Sequence, residues 1–190
     1  VPSAPGKRHS GDTKVTDLLY KCYGQAILDD DREEDFEEIL KVIKDRYDSI
    51  INGLELTISL DDEFKTIREN FSKKIGRDYA ASRGEYLNGI IMAAYLGYEF
   101  IDAAEVIFFD EEGEFDAEKT NEVLSERLAH TERAVIPGFY GSNPDGTIHT
   151  FSRGGSDITG SIVARAVHAD MYENWTDVSG FLIADPRIIK

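Results

Sequence analysis

The spacing of apolar residues predicts a succession of helices along the first two thirds of the chain. Apolar positions recur at three- and four-residue intervals from Thr13 or Thr16 onward. The same period recurs at 31–51 and 61–75, where one side is apolar and the other charged. Residues 78–96 combine small and apolar side chains in a pattern typical of a mostly buried helix, and a further helix is predicted at 116–129.

Shorter apolar runs lie between the later helices and predict strands. They occupy 106–109, 134–140, 147–151 and 171–175, while 1–4 has the composition of the end of a buried strand. The turn sequence Asn-Pro-Asp-Gly at 143–146 makes 147–151 the return limb of a hairpin. Strands that alternate with helices predict an α/β fold with a mainly parallel sheet, covered by helices on both faces.

The densest candidate chemistry lies at 149–187. Arg-Gly-Gly-Ser-Asp at 153–157 precedes a helical pattern, and its two glycines let the backbone approach a ligand closely. The predicted strand at 171–175 delivers Thr176 and Asp177 to its C-terminal end. Ligands of open α/β sheets bind at that edge, so an arginine, free amides and carboxylates are expected to meet in one small volume.

Composition narrows the class of protein. A chain of 190 residues with 41% apolar residues supports one sizeable core, and a net charge of −16 argues against a nucleic-acid partner. No apolar run is long enough to span a bilayer, and the single Cys22 excludes an internal disulfide, which is compatible with the cytoplasm. The four histidines show no ligand spacing, and no P-loop motif occurs, so we predict no metal-ligating residues and no P-loop kinase.

Several motifs together resemble the signature of aspartate kinases, members of the amino acid kinase family. They are Ser-Arg-Gly-Gly-Ser-Asp at 152–157, Asn-Trp-Thr-Asp-Val-Ser-Gly at 174–180, Ala-Asp-Pro-Arg at 184–187, Ser-Ala-Pro-Gly at 3–6, Thr-Asp-Leu-Leu at 16–19 and Ser-Arg-Gly-Glu-Tyr-Leu at 82–87. They follow the family's order, so the resemblance spans essentially the whole chain. It implies the three-layer sandwich of that family.

The resemblance also implies an activity. It is the phosphorylation of the side-chain carboxylate of L-aspartate by ATP with Mg²⁺, which gives aspartyl phosphate, the first step of lysine, threonine and methionine synthesis. Such a transfer needs little covalent help from the protein, which must position two anions and neutralise charge in the transition state. A homo-oligomer is an open alternative to a monomer.

Residue roles follow from the same resemblance. Arg153 would pair with the α-carboxylate of aspartate and Glu85 with its α-ammonium, while Asp157 would organise the reacting groups. The remaining residues implied in binding are Thr16, Gly154, Gly155 and Ser156 for aspartate, and Thr176, Asp177, Leu182 and Arg187 for the nucleotide. By residue type alone, Thr16 and Asp157 could instead be helix caps and Glu85 a helix-surface glutamate.

Two departures from the family pattern qualify these roles. The Lys-Phe-Gly-Gly motif of the family's first strand is absent, and Leu182 stands where the family often has tyrosine. Since Val1 is not methionine, we expect residues 1–190 to be part of an amino acid kinase catalytic domain. The first strand, the end of the nucleotide-binding half and the regulatory ACT domains would be missing, leaving the sandwich incomplete at both ends and the piece inactive alone.

Two other functions stay open at this stage. One is an amino acid kinase that acts on glutamate or UMP. The other is a non-catalytic fragment that binds aspartate without turnover.

Overall fold

The computed structural model describes residues 1–28, 33–152 and 154–175. Its helices are α1 (Val15–Ile27), α2 (Glu33–Gly53), α3 (Asp61–Ser72), α4 (Arg77–Leu96), α5 (Ala103–Val106), α6 (Ala117–Leu128) and α7 (Gly155–Ala166). Within these ranges, no helix has both the length and the apolar character required to cross a membrane. Helices α2, α3, α4 and α6 confirm the helices predicted at 31–51, 61–75, 78–96 and 116–129, with ends shifted by a few residues.

The strands are short. They are β1 (Glu99–Phe100), β2 (Ala134–Val135), β3 (Tyr140–Ser142) and β4 (Ile148–Thr150). Strands β1 and β2 pair in parallel, and a single parallel bridge joins Phe108 to Ser142. Strands β3 and β4 form the antiparallel hairpin that the turn at 143–146 predicts.

The first apolar core lies among α1, α2, α3 and α4. Its largest fully buried side chains include Leu19, Ile43, Tyr47 and Phe71. The Tyr47 hydroxyl donates a hydrogen bond of 2.7 Å to the carbonyl of Gly84, so α2 is tied to the middle of α4 by a polar contact inside the core. Helix α4 is apolar on several sides. One face packs on these helices, and another face is buried against the strands.

The second core joins the strands to the later helices. Helix α4 packs against β1, β2 and β4. Leu124 of α6 and Ile162 of α7 share a core with Ile136 and Tyr140 from the strand region. Helices therefore cover the strands on both sides, and the predicted α/β class is confirmed as a helix-rich version with one parallel strand pair, one parallel bridge and one antiparallel hairpin among the described residues.

Three predicted strands need correction. Residues 171–175 form no strand, and Met171 and Trp175 are 75% and 89% exposed, because no neighbouring strand pairs with them in the described ranges. Val106 ends α5 rather than starting a strand, because Asp102 accepts the Ala104 amide at 3.0 Å and caps a short helix there. Residues 1–4 also lack strand pairing, although the Pro2 carbonyl accepts the Gly138 amide at 3.0 Å.

Candidate functional site

A cleft of about 500 Å³ opens at the start of α7. One wall is the chain start, Val1 to Ser3, and another is Ser156 and Asp157 in the first turn of α7. The segment 171–175 forms a third side, and later residues of α7, from Gly160 onward, together with Val167 and Ala169 also line the cleft. Three segments distant in sequence therefore meet around the Gly-Gly-Ser-Asp motif.

Helix α7 begins without a side-chain cap. Its N-cap is Gly154, in the left-handed conformation with φ 59°, and no side-chain cap hydrogen bond forms there within the described part of the chain. The first amides of a helix lack intrahelical partners and carry partial positive charge, so this end suits an anionic ligand group.

Asp157 is exposed in the first turn of α7 and is not its cap. One carboxylate oxygen accepts a hydrogen bond of 3.2 Å from the Asn174 side-chain amide, and the Asp157 carbonyl accepts one of 3.4 Å from the Tyr172 hydroxyl. The interpretation of Asp157 as a simple cap is therefore wrong. Its carboxylate faces the cleft with much of its hydrogen-bonding capacity uncommitted within the described residues.

Two glycines allow a very close approach of backbone to backbone at this point. A Cβ on Gly138 would lie 2.6 Å from the Ser156 Cα, and one on Gly155 would lie 2.8 Å from the Phe139 Cα. Any side chain at either position would push the segment before β3 away from α7. The glycines therefore determine how closely Ser156 and Asp157 approach the segment before β3.

Glu85 lies on α4 and is buried, with 7% of its surface exposed. Its Oε2 has no hydrogen-bond partner among the described residues. Burial raises the pKa of this carboxyl to about 7, against the opposing effects of the Ala4 amide and the Arg83 guanidinium. The helix-surface interpretation of Glu85 is therefore wrong, because the side chain is buried. A buried carboxylate with an oxygen that lacks a partner costs free energy unless a ligand satisfies it.

Thr16 lies near Glu85 in the first turn of α1. The N-cap of α1 is Lys14, which makes no side-chain hydrogen bond, so the interpretation of Thr16 as a cap is also wrong. A Cβ on Gly84 would lie 2.8 Å from the Ala4 Cβ and 3.8 Å from the Thr16 hydroxyl oxygen. Gly84 therefore lets the chain start and α1 approach α4 directly beside Glu85.

The chain start connects this region to the start of α7. The Ser3 carbonyl accepts a hydrogen bond of 2.6 Å from the Asn88 side-chain amide, which holds the segment on α4. Pro2 bonds to Gly138, and Ser3 lines the cleft together with Ser156. The chain start thus contacts α4 beside Thr16 and Glu85, and it lines the cleft together with Ser156 and Asp157, which directly follow Gly154 and Gly155.

The remaining predicted site residues lie outside the described residues. They are Arg153, Thr176, Asp177, Leu182 and Arg187. Their roles stay predictions.

Sequence reasoning missed Arg83 as a buried cation. It is 6% exposed, its guanidinium carbon lies 4.5 Å and 4.3 Å from the ring centroids of Tyr79 and Tyr86, and it donates to the Ser82 hydroxyl. Tyr79 and Tyr86 are four residues before and three after Arg83, a spacing that places all three on one helix face and could have indicated the stack.

Arg46 is a second buried cation that the sequence did not reveal. Its guanidinium lies 2.6 Å from the Asp12 carboxylate and also contacts the Gly6 carbonyl. Hydrogen bonds from Arg8 hold the pKa of Asp12 well below its usual range. The loop between the chain start and α1 is therefore held against α2 by the Arg46–Asp12 ion pair.

Comparison with known proteins gives a family. A model of the amino acid kinase family matches residues 9–190. The chain is 36% identical over 205 residues to aspartokinase 3 of Bacillus subtilis (strain 168), covering 100% of this chain and 44% of that protein. It is 28% identical over 208 residues to the aspartokinase of Saccharomyces cerevisiae, covering 91% and 38% respectively.

Solved structures agree. The aspartate kinase of Clostridium acetobutylicum superposes with a TM-score of 0.87 at 51% identity, over 100% of this chain and 43% of that one. Aspartokinase III of Escherichia coli, in complex with aspartate and ADP, has a TM-score of 0.74 at 23% identity over 96% of this chain and 44% of that one, which supports the fold alone. The chain spans less than half the length of these relatives.

Proposed function

This chain belongs to the amino acid kinase family, and from that premise we propose that it forms part of an aspartate kinase catalytic domain. The proposed reaction is transfer of the γ-phosphoryl group of ATP to the side-chain carboxylate of L-aspartate. One observation carries the proposal: the buried Glu85 has an oxygen without a partner among the described residues, beside the chain start that lines the cleft at the uncapped start of α7. Similarity to the aspartokinases supports it.

The geometry suits an amino acid with one ammonium group and two carboxylates. Glu85 would accept hydrogen bonds from the α-ammonium, and Thr16 lies close enough to Gly84 to contribute a hydroxyl at the same place. The open amides at the start of α7 suit a carboxylate or a phosphoryl oxygen. Arg153, directly before these amides in sequence, would pair with the α-carboxylate through a planar donor fork.

Asp157 would organise the reacting groups from the first turn of α7. The acceptor carboxylate is already an anion at neutral pH, so no base is required to create the nucleophile. The work of the site is instead to hold two anionic groups together against their mutual repulsion. The proposed roles of Ser156 and the glycines before it are to present backbone amides to those groups.

The nucleotide would be ATP with Mg²⁺, contacted by Thr176, Asp177, Leu182 and Arg187. Magnesium bound with a nucleotide is held largely by phosphate oxygens, waters and one or two carboxylates. Within the described residues, no group of three or more His, Cys, Asp or Glu side chains could hold a metal ion by itself. ATP would supply the phosphoryl group, and Mg²⁺ would neutralise part of its negative charge.

We further propose the setting of this activity. The product, aspartyl phosphate, would feed lysine, threonine and methionine synthesis in the cytoplasm. A homo-oligomer is compatible with this assignment. Residues 1–190 alone are expected to lack turnover, because the family's Lys-Phe-Gly-Gly motif does not occur in them.

The test is ADP release by the full-length protein, measured with aspartate, glutamate and UMP in parallel. Turnover with aspartate and not with the other two acceptors is expected. A calorimetric titration of residues 1–190 with aspartate, run alongside, separates binding from catalysis. Turnover with glutamate or UMP, or aspartate binding without any ADP release, would replace the proposed function with one of those alternatives.

A further inference from the structure

Phe139 has an unusual backbone conformation directly beside the cleft. Its φ is 83°, in the left-handed region that bulky side chains rarely adopt. It lies between β2 and β3, and the backbone of Phe139 contacts the first residue of α7. Strained residues of this kind persist only where the surrounding structure holds them, and they concentrate at functional sites.

One hydroxyl group holds this conformation from below. The Phe139 amide donates a hydrogen bond of 3.1 Å to the Thr159 side-chain oxygen. The same hydroxyl donates one of 2.9 Å to the Gly155 carbonyl. Thr159 is fully buried, so no solvent water competes for either bond. The Thr159 hydroxyl therefore links the strained residue to the first turn of α7.

A change in the backbone conformation of Phe139 would move residues that line the cleft. The neighbouring Gly138 packs so closely on Ser156 that a Cβ there would lie 2.6 Å from its Cα. Ser156 and the following Asp157 both line the cleft. Because packed backbones cannot absorb a shift by compression, a relaxed Phe139 would displace both residues.

We propose that Thr159 is a positioning residue of the aspartate-phosphorylating site. Its hydroxyl keeps Phe139 in the left-handed conformation and thereby fixes Ser156 and Asp157 where substrate and phosphoryl group meet. This inference rests on the proposed function and deepens it. Thr159 itself lies under the first turn of α7, so it acts through its neighbours.

The chain contains a matched control for this role. Thr120 is also fully buried in the first turn of a helix, α6, and its hydroxyl oxygen accepts the Phe108 amide at 2.9 Å. Phe108 has no left-handed backbone, and neither residue lines the cleft. Loss of the Thr120 hydroxyl therefore reports the structural cost of such a bond without the proposed effect on the site.

The experiment compares Thr159→Val, Thr159→Ser and Thr120→Val in the full-length protein, with steady-state kinetics and thermal unfolding for each. Both valine variants should lose similar thermal stability. Thr159→Val should in addition lose about 100-fold in kcat/KM for aspartate, the scale of a small misplacement of reacting groups. Thr159→Ser keeps the hydroxyl and should stay near the wild type, and Thr120→Val should keep wild-type kinetics.

Equal kinetics for Thr159→Val and Thr120→Val would overturn the inference, as would a Thr159→Ser variant that loses as much turnover as Thr159→Val. If Thr159→Val did not fold, Thr159→Ala removes the same hydroxyl with a better helix former, and the same kinetic loss is expected. If the wild type is active and Thr159→Val keeps the wild-type kcat/KM for aspartate, this inference is wrong and the proposed function stands. A wild type without aspartate-dependent ADP release sinks the proposed function and this inference with it.

Discussion

Helices α6 and α7 have the same length, 12 residues, and each has a fully buried threonine near its start, Thr120 and Thr159. The two helices differ at their first residues: α6 has a side-chain cap and α7 has none within the described residues. Asp116 caps α6 by accepting the Lys119 amide at 3.0 Å. Helix α7 starts at Gly154 with no side-chain cap, and its nearby carboxylate, Asp157, contacts the Asn174 side chain instead.

The difference separates groups that serve stability from groups that are available to a ligand. Around α6, the cap and the buried hydroxyl of Thr120 both have backbone partners within the protein. On the cleft side, the start of α7 has no side-chain cap, and the Glu85 Oε2 has no partner among the described residues. A buried carboxylate oxygen without a partner is costly, so Glu85 indicates a site that a bound molecule completes, whereas the other two such oxygens among the described residues, on Gln25 and Asn121, belong to neutral amides.

The largest effect is expected for Asp157→Asn, which tests whether the start of α7 serves catalysis rather than stability. Because Asp157 does not cap α7, the variant should unfold at the wild-type temperature. Loss of its charge should lower kcat by roughly 10³-fold, as for other preorganised groups at reacting centres. Steady-state kinetics and calorimetric unfolding of the full-length protein measure the two quantities. Near-wild-type turnover would place Asp157 with the structural groups of α6.

The second prediction concerns the pH dependence of stability. Glu85 has its pKa raised from 4.5 to about 7 by burial, so between those pH values the folded state retains a proton that the unfolded state releases. The free energy of unfolding should therefore fall as pH rises through this window, by on the order of 3 kcal/mol from this group alone. Below pH 4.5 and above pH 7 its contribution is constant.

Urea unfolding of ligand-free wild type and Glu85→Gln from pH 4 to 8 measures this contribution. The difference between the two proteins should change across the window, because glutamine does not titrate. Parallel curves for the two proteins would show that the carboxyl is not buried in the way described.

The third prediction is a loss of aspartate affinity in Glu85→Gln. At pH 8 the wild-type carboxylate is ionised and can accept charged hydrogen bonds from the ammonium, and the variant should lose roughly 2 kcal/mol of binding, about 30-fold in Kd. Isothermal titration with aspartate is the measurement. ATP affinity should stay unchanged in the same preparation, and an unaltered aspartate Kd would remove Glu85 from the site.

The smallest expected effect sharpens the other side of the comparison. Asp116→Ala removes the cap of α6 and should cost about 1 kcal/mol of stability, whereas Asp116→Asn retains a capping oxygen and should cost less. Thermal unfolding distinguishes the two. Neither variant should change kcat or KM for aspartate, and a kinetic defect in either would show that α6 is coupled to the cleft.

Much of the fold follows from local pattern. The apolar period correctly indicates α2, α3 and α6, because one-sided burial imposes that period on any surface helix, and the run of small and apolar residues correctly indicates the mostly buried α4. The predicted end of α3 at residue 75 is too late, because Lys74 adopts a left-handed conformation with φ 56° and the helix ends at Ser72. The strand predicted at 171–175 fails because apolar content alone does not supply a pairing partner.

The candidate site divides in the same way. Sequence motifs identified Thr16, Glu85 and the residues at 154–157, and the structure places the chain start against both groups. The same motifs could not show that Thr16 and Asp157 are not helix caps, since cap geometry depends on where the helix actually begins. The buried stack of Arg83 between tyrosines was accessible from spacing along α4, but its burial was not.

The sequence by itself determined the helical segments, the hairpin, the family and the segments that carry chemistry, because these depend on residue types within short windows. Only the tertiary structure decided that Glu85 is buried beside Ala4 and that Thr159 holds Phe139 in a left-handed conformation. Those features arise from contacts between residues 20 to 81 positions apart, which no local period records. The packing of the chain start and the strand region against α4 and α7 creates them.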